Sequence, residues 1–254
     1  MITLARAELL KLRSTRTALG LFIIILVVTL VPLILLLALL PKEWLAEDGV
    51  TGFLGTASAL VPLVLLVFGI LGMTNEYRHG TITYSYLVTP RRWQVMVVKL
   101  VVYALVGMAT MLLAAALVFV AIRVGVAIRG VELDATGGST LGDYARQIVV
   151  AGLITTFGVA LGALVRAQVI TVAATLIWAL FVENIIVVLK PAVGAWLPFV
   201  VFNQVSAAQM PGDGADAAFM TDMLTRPQAF LVSIAYIAVV SVAAVFISLR
   251  RDVT

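Results

Sequence analysis

The chain has 254 residues, of which 63% are hydrophobic and 12% charged, with a formal net charge of +4. Its mean hydropathy of +1.15 leaves too little polar surface for a water-soluble domain of this length, and its basic residues form no stripe of the kind that tracks nucleic acid. With no cysteine and one histidine, disulfides, thiol chemistry and cysteine metal sites are excluded, and little remains for a transition-metal centre.

Residues 2–14 come first. Ile2, Ala5, Leu9 and Leu12 recur at helical spacing, with Arg6, Glu8, Lys11 and Arg13 between them. This pattern predicts a short amphipathic helix at a membrane surface; the alternative is a frayed basic tail that only sets topology. Six uncharged or nearly uncharged runs follow: Ala18–Leu40, Gly49–Asn75, Leu100–Ile122, Gln147–Val165, Ala167–Leu189 and Pro227–Leu249. Each is close to the roughly 20 residues that cross about 30 Å of hydrocarbon. The spans are predicted at about 18–40, 53–75, 95–122, 145–165, 168–189 and 227–249. Lipid offers the backbone no hydrogen-bond partners, so these runs must be helices; the short alternating segments of a membrane β-barrel are absent. The first run is too long for a signal peptide and ends at Leu39-Leu40-Pro41 without a small-residue cleavage site, so it reads as a retained span. The expected fold is all-α and polytopic, one membrane domain over residues 1–254.

Lysine and arginine placement sets the expected orientation. With the N-terminus inside, Arg6, Lys11, Arg13, Arg16, Arg78, Arg91, Arg92, Lys99, Arg166, Arg250 and Arg251 fall on the cytoplasmic side, 11 of the 17 basic residues. Both termini are then cytoplasmic. The outer connections are Lys42–Asp48, Arg123–Arg146 with a Gly137-Gly138-Ser139 tip, and residues 190–226. The fourth and fifth spans are joined by little more than Arg166-Ala167-Gln168, which predicts an antiparallel hairpin. In the last outer connection Pro191–Phe202 is too apolar for a free loop and suits an interfacial or re-entrant segment, with Met210–Asp222 as its polar tip.

Glu183 reads as the one ionisable residue within a span, about 10 Å from its outer end. Two readings stand: an element of an outer gate or substrate path, or a structural acid bonded to a neighbouring helix or to Asn184. Gly158-x-x-x-Gly162 lets two helices approach closely, within the subunit or at a dimer seam. Pro32 and Pro62 are candidate kinks in the first two spans.

The inner connection, residues 76–92, is the most informative. Glu76-Tyr77-Arg78-His79-Gly80-Thr81 follows the second span, Ile82–Val88 has the length of a brief helix, and Thr89-Pro90 reads as an N-cap with proline at the first helical position. The spacing predicts a span, a sharp turn at Gly80, a short helix across the membrane face, and a restart near Arg91, Arg92 and Trp93. Glu76 and Arg78 are placed for a charge-assisted bond that stiffens the turn, and His79 is most simply a solvated loop residue.

Glu76-x-Arg78-x-Gly80-Thr81, then Leu87-x-Thr89-Pro90-x-Arg92, then Lys99, resembles the permease subunits of ATP-binding-cassette (ABC) exporters of the type-2 class. The segment Ala7–Arg16 is similar to their entry segment, an amphipathic elbow helix, and Glu183 followed by Trp196-Leu197-Pro198 agrees as well. The resemblance implies a coupling element that docks into a separate ATPase subunit, carried here by Glu76, Tyr77, Arg78, Gly80, Thr81, Leu87, Pro90 and Arg92. It also implies re-entrant helices that cap an exit path, with Glu183, Trp196 and Pro198 at an outer gate or substrate path. The implied partners are two ABC ATPase subunits, a second permease copy or a paralogue, membrane lipids and an amphipathic small-molecule substrate. The implied location is a bacterial plasma membrane.

No lysine in the chain follows a glycine, so a phosphate-binding G-x-x-x-x-G-K-[ST] loop is excluded. The chain is therefore expected to bind no cofactor and to be no enzyme, with ATP and Mg on the partner ATPase. An ion-gradient-driven secondary transporter is the alternative; it needs intramembrane acids or bases, of which Glu183 alone is visible. A membrane-embedded enzyme would need a cluster of acids, histidines or a nucleophile with its base, and none stands out in the sequence.

Overall fold

The computed structural model describes residues 2–39, 60–88, 92–130, 138–206 and 223–250, and every regular element among them is helical. In chain order these are α1 (Ile2–Ser14), α2 (Arg16–Leu39), α3 (Val61–Arg78), α4 (Ile82–Val88), α5 (Arg92–Arg129), α6 (Gly138–Val165), α7 (Gln168–Ile177), a π-helical turn (Trp178–Val182), α8 (Glu183–Leu189), α9 (Pro191–Gly194), α10 (Pro198–Ser206) and α11 (Arg226–Arg250). Among the described residues five helices are long and apolar enough to cross a membrane: Leu19–Leu39, Trp93–Arg129, Tyr144–Val165, Gln168–Leu189 and Arg226–Phe246. The protein is an all-α, multi-pass membrane protein. The second expected span is represented by α3, 18 residues long with the polar end Asn75-Glu76-Tyr77-Arg78; the earlier part of that run lies outside the described residues.

The centre of the bundle is α6. It packs along α3, α5 and α11 and against α10, and about two-thirds of its most apolar stretch is buried, against under a third for the spans on α2, α5 and α11. Small residues make this possible. A Cβ placed on Gly158 would collide with the Leu66 carbonyl of α3, one on Gly162 would lie 2.8 Å from the Ile70 carbonyl, and one on Gly69 would strike the Thr155 carbonyl of α6. Gly158-x-x-x-Gly162 is thus an internal seam in which two backbones nearly touch. The hydroxyls of Thr155 and Thr156 donate to the carbonyls one turn back, Ala151 and Gly152, so these buried polar groups cost the apolar core little.

Several elements depart from expectation. Helix α5 runs for 38 residues, about 57 Å at 1.5 Å per residue, and continues past Ile122 to Arg129. Arg123 and Arg129 therefore belong to the helix rather than to the outer loop; Arg129 donates to the Ala38 carbonyl at the end of α2 over 2.6 Å. Gly138 and Ser139, expected in a flexible tip, open α6. Pro62 lies in the first turn of α3, where its missing N–H removes no helical bond; Pro32 is interior to α2. The hairpin expected from the tight Arg166-Ala167-Gln168 turn does not pack along its length. Its main contact with α6 is made by α7, and few side chains along the span are buried. Within that span the buried side chains are Thr171, Thr175 and Glu183, so its polar stripe faces the protein and its apolar surface faces outward. The Lys42–Asp48 loop, Thr89, Pro90, Arg91 and the Met210–Asp222 tip lie outside the described residues.

Candidate functional site

Ordinary helix chemistry builds one end of the bundle. Helix α3 ends at Arg78 because Gly80 enters the left-handed region, at φ 66°; a residue without Cβ accepts this at no steric cost. The His79 amide donates to the Asn75 carbonyl and the Gly80 amide to the Tyr77 carbonyl. The chain reverses and enters α4. Ile82 is 1% exposed and packs with Met73, Met96 and Tyr103, pinning the start of α4 to α3 and α5. Beyond it Tyr84 and Leu87 are 72% and 75% exposed. The short helix is held at one end and presents an aromatic and an aliphatic side chain outward.

Beneath this turn lies a buried ion cluster. Lys99, on α5, is fully buried and donates to Glu8 Oε2 at 2.6 Å and to Glu76 Oε1 at 2.8 Å. Lys11 donates to Glu8 Oε1 at 2.8 Å and to Glu76 Oε1 at 2.9 Å. Two acids and two lysines from α1, α3 and α5 thus close into one network. Its third dimension is the Tyr103 ring, whose centroid lies 5.7 Å from Lys99 Nζ. Burial by itself would raise the Glu8 carboxyl, but the Lys99 charge and hydrogen bonds from both lysines outweigh it and hold Glu8 below its ordinary range. Burial would likewise lower the Lys11 ammonium, yet bonds to Glu8 and Glu76 raise it overall.

This arrangement corrects two expectations. Glu76 pairs with Lys99 and Lys11 rather than with Arg78, which reaches across the α6–α7 turn to Gln168 at 3.1 Å. Lys99, counted with the exposed inner charges, is instead fully buried on α5. In α1 Glu8 is buried against the ion cluster while Leu9 and Leu10 stay exposed. Glu8 and Lys11, within the entry segment, and Lys99, which closes the motif, are therefore site residues to which the sequence had assigned no role. The available signal was Lys99 itself, a lysine between Val98 and Leu100 in an apolar run, which needs a counter-ion if it is to be buried.

Of the other expected residues, Tyr77 is half-buried with the Arg166 guanidinium 5.0 Å from its ring. That contact and the Arg78–Gln168 bond tie the α6–α7 turn to the end of α3. Gly80 and Thr81 are exposed. Arg92 begins α5, and Pro90 lies outside the described residues.

The opposite end is closed by α9 and α10. Glu183 is 1% exposed. It accepts from Trp178 Nε1 at 2.7 Å, from the Phe199 amide at 3.3 Å and from the Val200 amide at 3.0 Å. The carboxylate thus satisfies the first free amides of α10, whose opening residue Pro198 lacks one. The intervening π-turn sets Trp178 and Glu183 five residues apart on one side of the helix. Asn184 donates instead to the Ala179 and Leu180 carbonyls, so the structural role considered for Glu183 runs through α10 and Trp178. Gln204 holds the far end of the segment, donating to the Ala195 carbonyl and accepting from the Leu224 amide. Tyr236 donates to the carbonyl of Trp196, whose own side chain is exposed. Phe157, Phe199 and Phe202 pack as an aromatic cluster below.

No group of three or more metal-ligating side chains occurs among the described residues. No protein-family model matches the chain, and no curated protein matches it significantly.

Proposed function

We propose that this chain is the membrane-spanning permease subunit of an ATP-driven ABC exporter of the type-2 class. It has six spans and cytoplasmic termini in a bacterial plasma membrane, and moves an amphipathic substrate such as a lipid, drug, antibiotic or peptide. The observation that carries the reading is α4: a seven-residue helix at a charged end of the bundle, anchored through buried Ile82 and exposing Tyr84 and Leu87. An element with a fixed root and an unpartnered tip suits a lever pressed by a soluble ATPase. The ion cluster beneath it joins α1, as an elbow helix, to α3 and α5, so a push on α4 is transmitted to three helices together. Energy comes from two ATPase subunits, and a second permease copy or paralogue completes the pathway. At the other end Glu183, Trp196 and Pro198 belong to a cap that shifts when the outer path opens.

The test is reconstitution with the cassette ATPase encoded nearest to this chain. Permease should co-purify with it and stimulate ATP hydrolysis in vesicles. The double substitution Tyr84→Ala with Leu87→Ala should abolish stimulation while leaving helix content and thermal midpoint unchanged. Unchanged stimulation by this variant, or failure of the native chain to bind any cassette ATPase, overturns the reading.

One observation favours a second reading, an ion-gradient-driven secondary transporter. Glu8, Glu76 and Glu183 are all buried, so the chain holds more sequestered acid than its sequence advertised. Against this, the first two are neutralised by two lysines at one end of the bundle. Transport that survives ATP depletion and collapses with the proton gradient would select it.

A further inference from the structure

A cavity of about 520 Å³ opens beside the ion cluster, lined among others by Glu8, Lys11, Glu76, Arg78, Tyr103 and Gln168. Its volume is that of an ordinary ligand site. It shares Leu12, Leu21 and Phe68 with a second cleft of about 250 Å³ that runs along α2, α3 and α5 past Phe22, Ile25 and Leu65. A polar chamber at the end of the bundle therefore adjoins a mostly apolar cleft along the spans, a pairing that suits an amphiphile.

The polar chemistry is specific. Glu76 Oε1 accepts from both lysines, but Oε2 is buried with no hydrogen-bond partner among the described residues. A buried carboxylate oxygen without a donor is costly, so this atom calls for an N–H or O–H. The two acids and two lysines already cancel in formal charge. A cation added alone would stand beside Arg78, whereas a zwitterion leaves the balance intact. At the mouth, Lys11 is partly exposed and spends two of its three N–H donors on Glu8 and Glu76. Arg78 is exposed, with one bond to Gln168. Both are suited to a phosphate.

We propose that this chamber binds the headgroup of a zwitterionic phospholipid bearing a primary amine. Its ammonium donates to Glu76 Oε2, its phosphate meets Lys11 and Arg78, and an acyl chain lies in the groove past Leu21, Phe22 and Leu65. The site goes beyond the exporter reading and rests on it only in placing this end of the bundle at the inner leaflet. A quaternary amine fits the same charge pattern but has no N–H to give.

The experiment is native mass spectrometry of purified full-length permease, without any ATPase, challenged in turn with phosphatidylethanolamine, phosphatidylcholine and phosphatidylglycerol of matched chains. Phosphatidylethanolamine should be retained about tenfold over phosphatidylcholine, the order of one charge-assisted hydrogen bond. Glu76→Gln should lose that preference, and Arg78→Gln, at an exposed position, should weaken retention of the ethanolamine lipid. Free phosphoethanolamine should compete poorly, because it lacks chains for the groove. Equal retention of the two zwitterionic lipids by the native protein overturns the proposal, as does preferred retention of phosphatidylglycerol. An Arg78→Gln protein with native retention overturns the phosphate seat, and full competition by the free headgroup overturns the groove. The native comparison needs no variant, so a Glu76→Gln protein that fails to fold leaves the decision to the lipids. Because no ATPase is present, a failed docking assay does not bear on the result.

Discussion

Lys99 Nζ donates to Glu8 Oε2 at 2.6 Å across 91 positions of sequence, and both side chains are almost wholly buried. The bond joins α1, which precedes the first span, to the interior of α5. In a low-dielectric site such a pair is stabilising only when each charge keeps its partners. Here each does: Lys99 also holds Glu76, and Lys11 bridges both acids.

Lys99→Met should therefore destabilise the protein by about 3–5 kcal/mol, since it leaves Glu8 and Glu76 facing each other with Lys11 alone. Glu8→Gln combined with Lys99→Met should be less damaging than the sum of the single changes, because neither then strands a buried charge. Denaturation in detergent micelles by increasing SDS measures both. Additive effects would show that the pair is not coupled.

The cluster also sets a pH window. Glu8 is held below its ordinary value of 4.5 when folded, so its contribution is complete above that value and fades as pH falls through the lower folded value. Lys11 is raised above its ordinary 10.5; its contribution is complete below 10.5 and is lost as pH rises through the higher folded value. Attachment of α1 should thus be flat through neutral pH and weaken on the acid side. Hydrogen exchange of residues 2–14 at descending pH is the measurement, and Glu8→Gln should remove the Glu8 contribution to that acid-side step.

The α3–α6 seam should tolerate no added carbon. Gly158→Ala drives a Cβ into the Leu66 carbonyl and should cost about 1–3 kcal/mol through overpacking. Gly20→Ala, where nothing lies within 4 Å, should leave the thermal midpoint unchanged or slightly higher. Equal effects at the two glycines would contradict the packing described.

At the capped end, Glu183→Ala strands the Trp178 indole N–H and two α10 amides. Removing these bonds should cost about 1–3 kcal/mol and loosen α10. Hydrogen exchange should quicken across residues 198–206 and stay unchanged in α3. A response spread evenly over the chain would mean that Glu183 supports the whole bundle rather than its cap.

Much of the architecture was legible without coordinates. The short helix Ile82–Val88, the turn at Gly80 and the helical nature of residues 2–14 follow from local signals: a glycine able to take positive φ, helical periodicity, and the brief run between turn residues. What misled was the use of charge as punctuation. Arg123 and Arg129 sit on a helix that outruns the hydrocarbon, since a helix ends where its backbone is capped and not where lipid ends. The span of Glu183 bears polar residues at Thr171 and Thr175 that looked incidental in an apolar run, and they mark its inward stripe.

Composition and periodicity alone determined that the chain is helical and lives in a membrane, because an apolar run of spanning length has one way to satisfy its backbone in lipid. Tertiary structure alone decided which charges meet. Whether Glu76 would pair with Arg78 two residues away or with Lys99 from another helix depended on how α1, α3 and α5 converge. Only that convergence withdraws Lys99 from water and makes buried carboxylates its best solvent.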